Sequence, residues 1–286
     1  MKSLAEIKKT ISKLQIVDLN RNDASDLIEK IITEDLVEIP FPNKIFEPGL
    51  KLHRCRNNNN KPDFETVDSL SFRTDTENIK EYGRANKKNQ SIFYSSDVRP
   101  TAMLETSMVF RGDAYSSIDT FTITTGHWES IKELKLVMLV SHTNAQEKNE
   151  LIKLYNIDIV KFTKDVFKTE ADKVFEILNF ICDEFSVNTN GNCNLYKISA
   201  AFSNYAFQKS DGILYPSLQR RFEGLNFAIK PDSVRDKLQF RCATRDKFIK
   251  TDEIQYQHSE IKESIEIRDT KIIWGEPKEI KTQTNK

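Results

Sequence analysis

Residues 91–110 read SIFYSSDVRPTAMLETSMVF: a short strand pattern, SIFYSS, runs almost directly into a helical one, RPTAMLETSMVF. On the upstream side LHRCR, 52–56, begins a strand. Downstream, IDTFTITTG (118–126) and LKLVMLVSH (134–142) read as strands, the second apolar enough to be buried. Helical spacing then occupies roughly 144–156, 165–186 and 195–208. Strand patterns return in DGILYPS, LNFAIKP, KLQFRCAT and an alternating stretch through IEIRDTKIIW. Helices and strands are mixed without a βαβ rhythm or an internal repeat, so the expected class is α+β.

Ahead of this body, Leu4, Ile7, Ile11 and Leu14 keep helical spacing, as do Leu27, Ile28, Ile31, Ile32 and Leu36. Two amphipathic helices are expected, the second ending before Ile39-Pro40, because a residue preceding proline disfavours the helical region. FPNKIFEPGL (41–50) reads as a Pro/Gly connector, and the polar stretch 57–82 as a long loop with a short helix. The expected organisation is a separable helical extension over 1–45, a body over 46–275 and a frayed tail over 276–286.

Lys plus Arg and Asp plus Glu both total 43, which removes the basic footprint of a nucleic-acid binder. No run of 18 apolar residues exists and MKSLAEIKKTISKLQ lacks a signal-peptide block, so a cytoplasmic protein with no membrane partner is expected. Cys55, Cys182, Cys193 and Cys242 form no CxxC pair, which suggests ordinary thiols and no metal site. With eight glycines and no GxGxxG or GxxxxGK[ST] string, a bound nucleotide would have to be held by arginines.

Four stretches place polar groups where a core pattern expects apolar ones: LHRCR, YGRANKKNQSIFYSS, RPTAMLETSMVF and DGILYPSLQRRFEGLNFAI. In this order they resemble the RES domain, a family of bacterial NAD⁺-degrading toxins named for an Arg, a Glu and a Ser. The similarity covers roughly 46–245, with a poorly matched middle between about 126 and 194. The family's first arginine falls on Arg54, its Gly-Arg-x-Asn element on Gly83, Arg84 and Asn86, and the aromatic of the following strand on Tyr94. Thr101, Ala102 and Glu105 match its Thr-Ala-x-x-Glu helix start. Gly212, Tyr215, Pro216 and Ser217 match Gly-x-x-Tyr-Pro-Ser, and Asn226 the polar residue of the next strand. The chain departs from many relatives in Cys55, where an aromatic often follows the arginine, and in its N-terminal helices.

The resemblance implies an ADP-ribosyltransferase-like core that splits NAD⁺, with inorganic phosphate or water as acceptor and no resident cofactor. It implies catalytic roles for Arg54, Arg84, Glu105 and Ser217, and NAD⁺ contacts from Tyr94, Asn86, Tyr215 and Asn226. It also implies an antitoxin or regulatory partner encoded separately, and leaves the oligomeric state open.

The residue types suit that chemistry. Nicotinamide leaves as a neutral molecule from a pyridinium cation, so one carboxylate is enough where ordinary glycoside hydrolysis needs two. Glu105 can oppose the positive charge developing on the ribose. Its plain alternative is a helix-surface Glu in the first turns, favoured by the dipole behind Asp97 or Thr101 as N-cap. Arg54 and Arg84 can grip pyrophosphate or phosphate bidentately, or stand as a strand and a turn residue. Tyr94 can face a cationic ring or pack in the core. Ser217 can bind phosphate or position Glu105, and a nucleophilic role lacks a base, since His53, His127, His142 and His258 fall outside the matched positions. RGD at 111–113 reads as a turn. The same residues also suit transfer of ADP-ribose to a macromolecule, or a silent nucleotide- or partner-binding module.

Overall fold

Ten strands form one mixed sheet in the computed structural model, which describes residues 1–36, 39–58, 63–107, 120–251 and 256–277. The strands are β1 Asn43–Phe46, β2 Lys51–Asn57, β3 Phe93–Ser96, β4 Thr120–Ser130, β5 Leu134–Met138, β6 Gly212–Pro216, β7 Leu225–Ile229, β8 Leu238–Lys250, β9 Tyr256–Arg268 and β10 Lys271–Gly275. Their spatial order is β1-β5-β6-β7-β3-β2-β4-β8-β9-β10, with β5 and β6 parallel and every other neighbour antiparallel. The expected α+β class is present. RGD 111–113 and the tail from 278 onward lie outside the described residues.

Among the described residues the helices are α1 Leu4–Gln15, α2 Ala24–Asp35, α3 Arg99–Thr106, α4 Thr143–Lys148, α5 Glu150–Phe167, α6 Ala171–Phe185, α7 Lys197–Phe207 and α8 Pro231–Lys237. None is long and apolar enough to cross a membrane. Ser3 and Glu6 close a capping box on α1, so two amide donors at its start are satisfied. Three boundaries differ from the sequence expectation. NKIF, between two prolines, is too short to show alternation, yet it pairs with β5 as the edge strand β1. The helix expected to end near 156 breaks at Asn149, whose side chain caps α5, and then runs unbroken to Phe167. PDSVRDK, seven residues opened by Pro231, forms α8 where only a strand end was expected.

The N-terminal helices are part of the body. Ile7, Ile11 and Leu14 of α1 and Ile28 and Ile32 of α2 share one apolar cluster with Ile177 and Ile181 of α6 and Phe202 and Ala206 of α7. Lys197, at the start of α7, donates to the carbonyls of Leu19 and Arg21 in the α1–α2 turn. The boundary expected after residue 45 also cuts through β1. A separable extension over 1–45 is therefore replaced by a hairpin built into the core.

One feature of the sheet positions the site. β2 and β3 are neighbours, but their register holds only the pair His53↔Ser96. Beyond it the strands part, β2 following β4 and β3 following β7. The fork divides the sheet into two five-stranded halves.

Candidate active site

At the fork lies a cavity of about 280 Å³. His53, Arg54 and Cys55 reach it from β2, Tyr94 and Ser96 from β3, and Asn226 from β7. α3 crosses it with Glu105, and Arg84, Tyr196, Tyr215 and Gln219 complete the wall. Arg54, Arg84, Tyr94, Glu105, Tyr215 and Asn226, widely spaced in the chain, are thus brought together.

Glu105 stands in the last turn of the short helix α3. The expected capping is corrected here: the N-cap is Val98 with no side-chain cap, while Asp97 accepts from the amide of Leu225 and Thr101 from Arg220. At this end the helix dipole opposes a carboxylate, by about 0.3–1 kcal/mol for an exposed group. Specific donors hold it instead. Ser217 Oγ donates to Oε1 at 2.6 Å and Asn226 Nδ2 to the same oxygen at 2.7 Å. Ser96 donates to Asn226 Oδ1 at 2.7 Å, which fixes the amide with its NH₂ toward Glu105. α3 approaches β7 this closely because position 224 is glycine: a Cβ there would overlap the Thr101 side chain.

Both arginines that line the cavity are anchored to backbone carbonyls. Arg54 donates from Nε to Ser71 O at 3.0 Å and from Nη1 to Tyr94 O at 2.8 Å. Arg84 donates from Nη1 to the carbonyls of Phe185 and Val187, and its guanidinium lies 4.8 Å from the centroid of the Tyr196 ring. Nη2 of both has no protein partner among the described residues, and both side chains line the cavity. Burial, with Arg56 close by, brings Arg54 down to about 9, so it stays cationic at neutral pH.

Two expected contacts sit behind the wall. Ser217 is fully buried, its hydroxyl donating to Glu105 and accepting from the amide of Arg220, the geometry of the expected alternative in which it positions Glu105. Asn86 also lies behind the cavity wall. Its Oδ1 accepts from Tyr94 Oη at 2.8 Å, and Ala85 N donates to the same Oη at 2.8 Å. A Cβ at position 83 would overlap Asn86 Oδ1 and Tyr94 Oη as they now stand, so glycine permits this bond. The Tyr94 ring therefore lines the cavity while its hydroxyl is tied back. Tyr215 lines it with a hydroxyl that has no protein partner among the described residues. Burial raises both phenols, so both are neutral. Burial also pushes the Cys55 thiol up to about 12, and it faces Thr125 Oγ1 at 3.2 Å, which makes it unreactive.

His53, Tyr196, Ser96 and Gln219 are wall residues that the motif matching passes over. Alternation along β2 places His53 and Arg54 on opposite faces, so nothing local announces that one fork receives both. For Ser96 a signal existed, a hydroxyl on a buried strand needing a partner.

His53 Nδ1 lies 3.0 Å from Nδ1 of His127 on β4. Burial, then the proximity of His53 and Arg99, lowers His127 to about 4. In the unfolded chain it titrates near its ordinary value of 6.5, so the folded state is the poorer proton binder. The stability this confers is complete above pH 6.5 and lost as pH falls through about 4. Replacing His127 by Gln is expected to flatten that fall by about 2–3 kcal/mol, read by urea unfolding at pH 7 and pH 4. Parallel profiles for the two proteins would show that His127 is not the titrating group.

Among the described residues no cluster of His, Cys, Asp and Glu is arranged to hold a metal ion. No protein-family model matches the chain, and a search of curated proteins returns no match.

Proposed function

We propose that the cavity binds NAD⁺ and breaks the bond between nicotinamide and ribose, with phosphate or water as acceptor. The observation that carries this reading is the polarity of the cavity: one anchored carboxylate, Glu105, faces a space shared with Arg54 and Arg84. NAD⁺ has the complementary pattern, a cationic nicotinamide riboside joined to an anionic pyrophosphate. At about 280 Å³ the cavity is just below the usual size of a small-molecule site, so it suits the reacting half while the adenosine extends outward. Two half-sheets around a central cleft fit the ADP-ribosyltransferase-like core that the RES resemblance implies.

In the reaction the C1′–N bond breaks and its electron pair neutralises the pyridinium. Positive charge grows on the ribosyl carbon and ring oxygen, where Glu105 opposes it, held in place by Ser217 and Asn226 before the event. The acceptor oxygen bonds to C1′, and with water a proton is released. The products are nicotinamide and ADP-ribose, or its 1-phosphate. The chain would draw on a cytoplasmic NAD⁺ pool, acting as a toxin or defence effector restrained by a separately encoded partner.

Incubating the purified chain with NAD⁺, with and without phosphate, tests this by mass spectrometry. Nicotinamide with ADP-ribose or its phosphate is expected. An ADP-ribose increment on a macromolecule would make the chain a transferase, and unchanged NAD⁺ would overturn the reading. Arg54→Lys and Arg84→Lys should each raise KM for NAD⁺ about tenfold or more, because an ammonium cannot span backbone carbonyls and a phosphate together as the guanidinium fork does. Unchanged kinetics in folded Lys variants would reduce both arginines to scaffold.

A further inference from the structure

A second series of polar groups ends at this cavity. Arg99, the first residue of α3, pairs through Nη2 with the fully buried Asp246, and donates from Nη1 to Glu260 at 3.0 Å and to Thr244 Oγ1 at 3.3 Å. Thr244 Oγ1 is 3.2 Å from His127 Nε2. The His127 and His53 rings stand at 88° with Nδ1 facing Nδ1, and His53 lines the cavity.

The directions of these bonds follow from what each group can do. Arginine only donates, so Thr244 Oγ1 accepts from Arg99. Its single O–H is left for His127, its other partner among the described residues. His127 Nε2 then accepts, which places the His127 proton on Nδ1. That N–H meets His53 Nδ1, which must accept, so His53 carries its proton on Nε2. This nitrogen has no protein partner among the described residues, and the ring lines the cavity. Reversing the series would leave the Thr244 hydroxyl hydrogen without an acceptor among the described residues and turn a bare lone pair of His53 into the cavity.

We propose that His53 is a further substrate-contacting residue, a neutral imidazole that donates Nε2–H to an oxygen of the bound dinucleotide, its tautomer imposed from Arg99 through Thr244 and His127. The ligand in this statement rests on the NAD⁺ reading above; the tautomer does not. Neutrality is supported by burial, then by Arg99 and Lys51, which together hold His53 below the usual histidine range. His127 and Thr244 are positioning residues.

Long-range ¹H–¹⁵N spectra of the full labelled chain test the relay directly. The expected result is Nδ1–H on His127 and Nε2–H on His53, with the His127 preference lost in Thr244→Val. Nδ1–H on His53 in the wild-type chain overturns it. For the contact, His53→Phe should raise KM for NAD⁺ about tenfold or more with little change in kcat. His53→Gln, which retains an N–H at similar reach, should recover most of the loss. A folded Phe variant with unchanged KM overturns the contact. A wild-type chain that neither binds nor cleaves NAD⁺ overturns the dinucleotide assigned to His53, while the spectra still decide the relay.

Discussion

Changing Glu105 to Gln is expected to lower NAD⁺ turnover by about 10²–10³-fold while leaving the thermal unfolding of the chain close to that of the parent. The separation of the two effects follows from how the carboxylate is held. Ser217 and Asn226 both donate to Oε1, and an amide oxygen in the same place accepts both bonds. The shape of the side chain and these two bonds survive the substitution. What disappears is the negative charge that, on the proposed NAD⁺ reading, opposes the ribosyl cation, a loss of about 2.7–4 kcal/mol of transition-state stabilisation. The site of that charge argues for the same conclusion, since a carboxylate in the last turn of α3 gains nothing from its helix. Nicotinamide release, measured alongside a melting curve, checks the prediction. A folded Gln variant with near-parental turnover would remove Glu105 from the chemistry.

The second large effect concerns the N-terminal hairpin. Deleting residues 1–36 removes Ile7, Ile11, Leu14, Ile28, Ile32 and Leu36, all at 7% exposure or less. At roughly 1.5–3 kcal/mol for each buried aliphatic side chain, the loss is on the order of 10 kcal/mol. That is comparable with the whole stability of a typical domain, about 5–15 kcal/mol. The deletion would also bare the faces of α6 and α7 that these residues cover, and would release the Lys87–Glu29 ion pair beside the turn that carries Arg84. The truncated chain is expected to aggregate or to unfold without cooperativity. Leu14→Ala gives a graded version, destabilising by about 2–5 kcal/mol in urea. A soluble, cooperatively folding truncation would show that the hairpin is dispensable after all.

Much of the architecture is legible in the sequence because the long elements carry strong periodicity. α1, α2, β2, β4 and the strands after 211 fall close to their expected places. β1 and α8 do not, since four and seven residues beside prolines hold too little pattern to read. The extension over 1–45 illustrates a different gap: amphipathic spacing shows that a face must be buried, and only the fold shows against what. At the site, residue types and the RES resemblance select Arg54, Arg84, Tyr94, Glu105, Tyr215 and Asn226, which the fork gathers around one cavity. They do not tell a wall residue from one behind it, so they include Ser217 and Asn86, which lie behind the cavity wall, and pass over His53, which lines it. That distinction depends on which hydroxyl or amide a neighbouring residue has already engaged, a tertiary fact.

The fork also has a mechanical consequence. A sheet carries load sideways through its ladder, and across the described strands the rung His53↔Ser96 is the thinnest link. Arg54, bonded to the Tyr94 carbonyl on the opposite strand, is a side-chain strut over the same gap. The cavity is therefore the seam of the molecule, the line along which it would first part under tension. A ligand gripped from both sides acts as a stitch, so occupancy should stiffen the whole sheet more than its contact area alone would suggest.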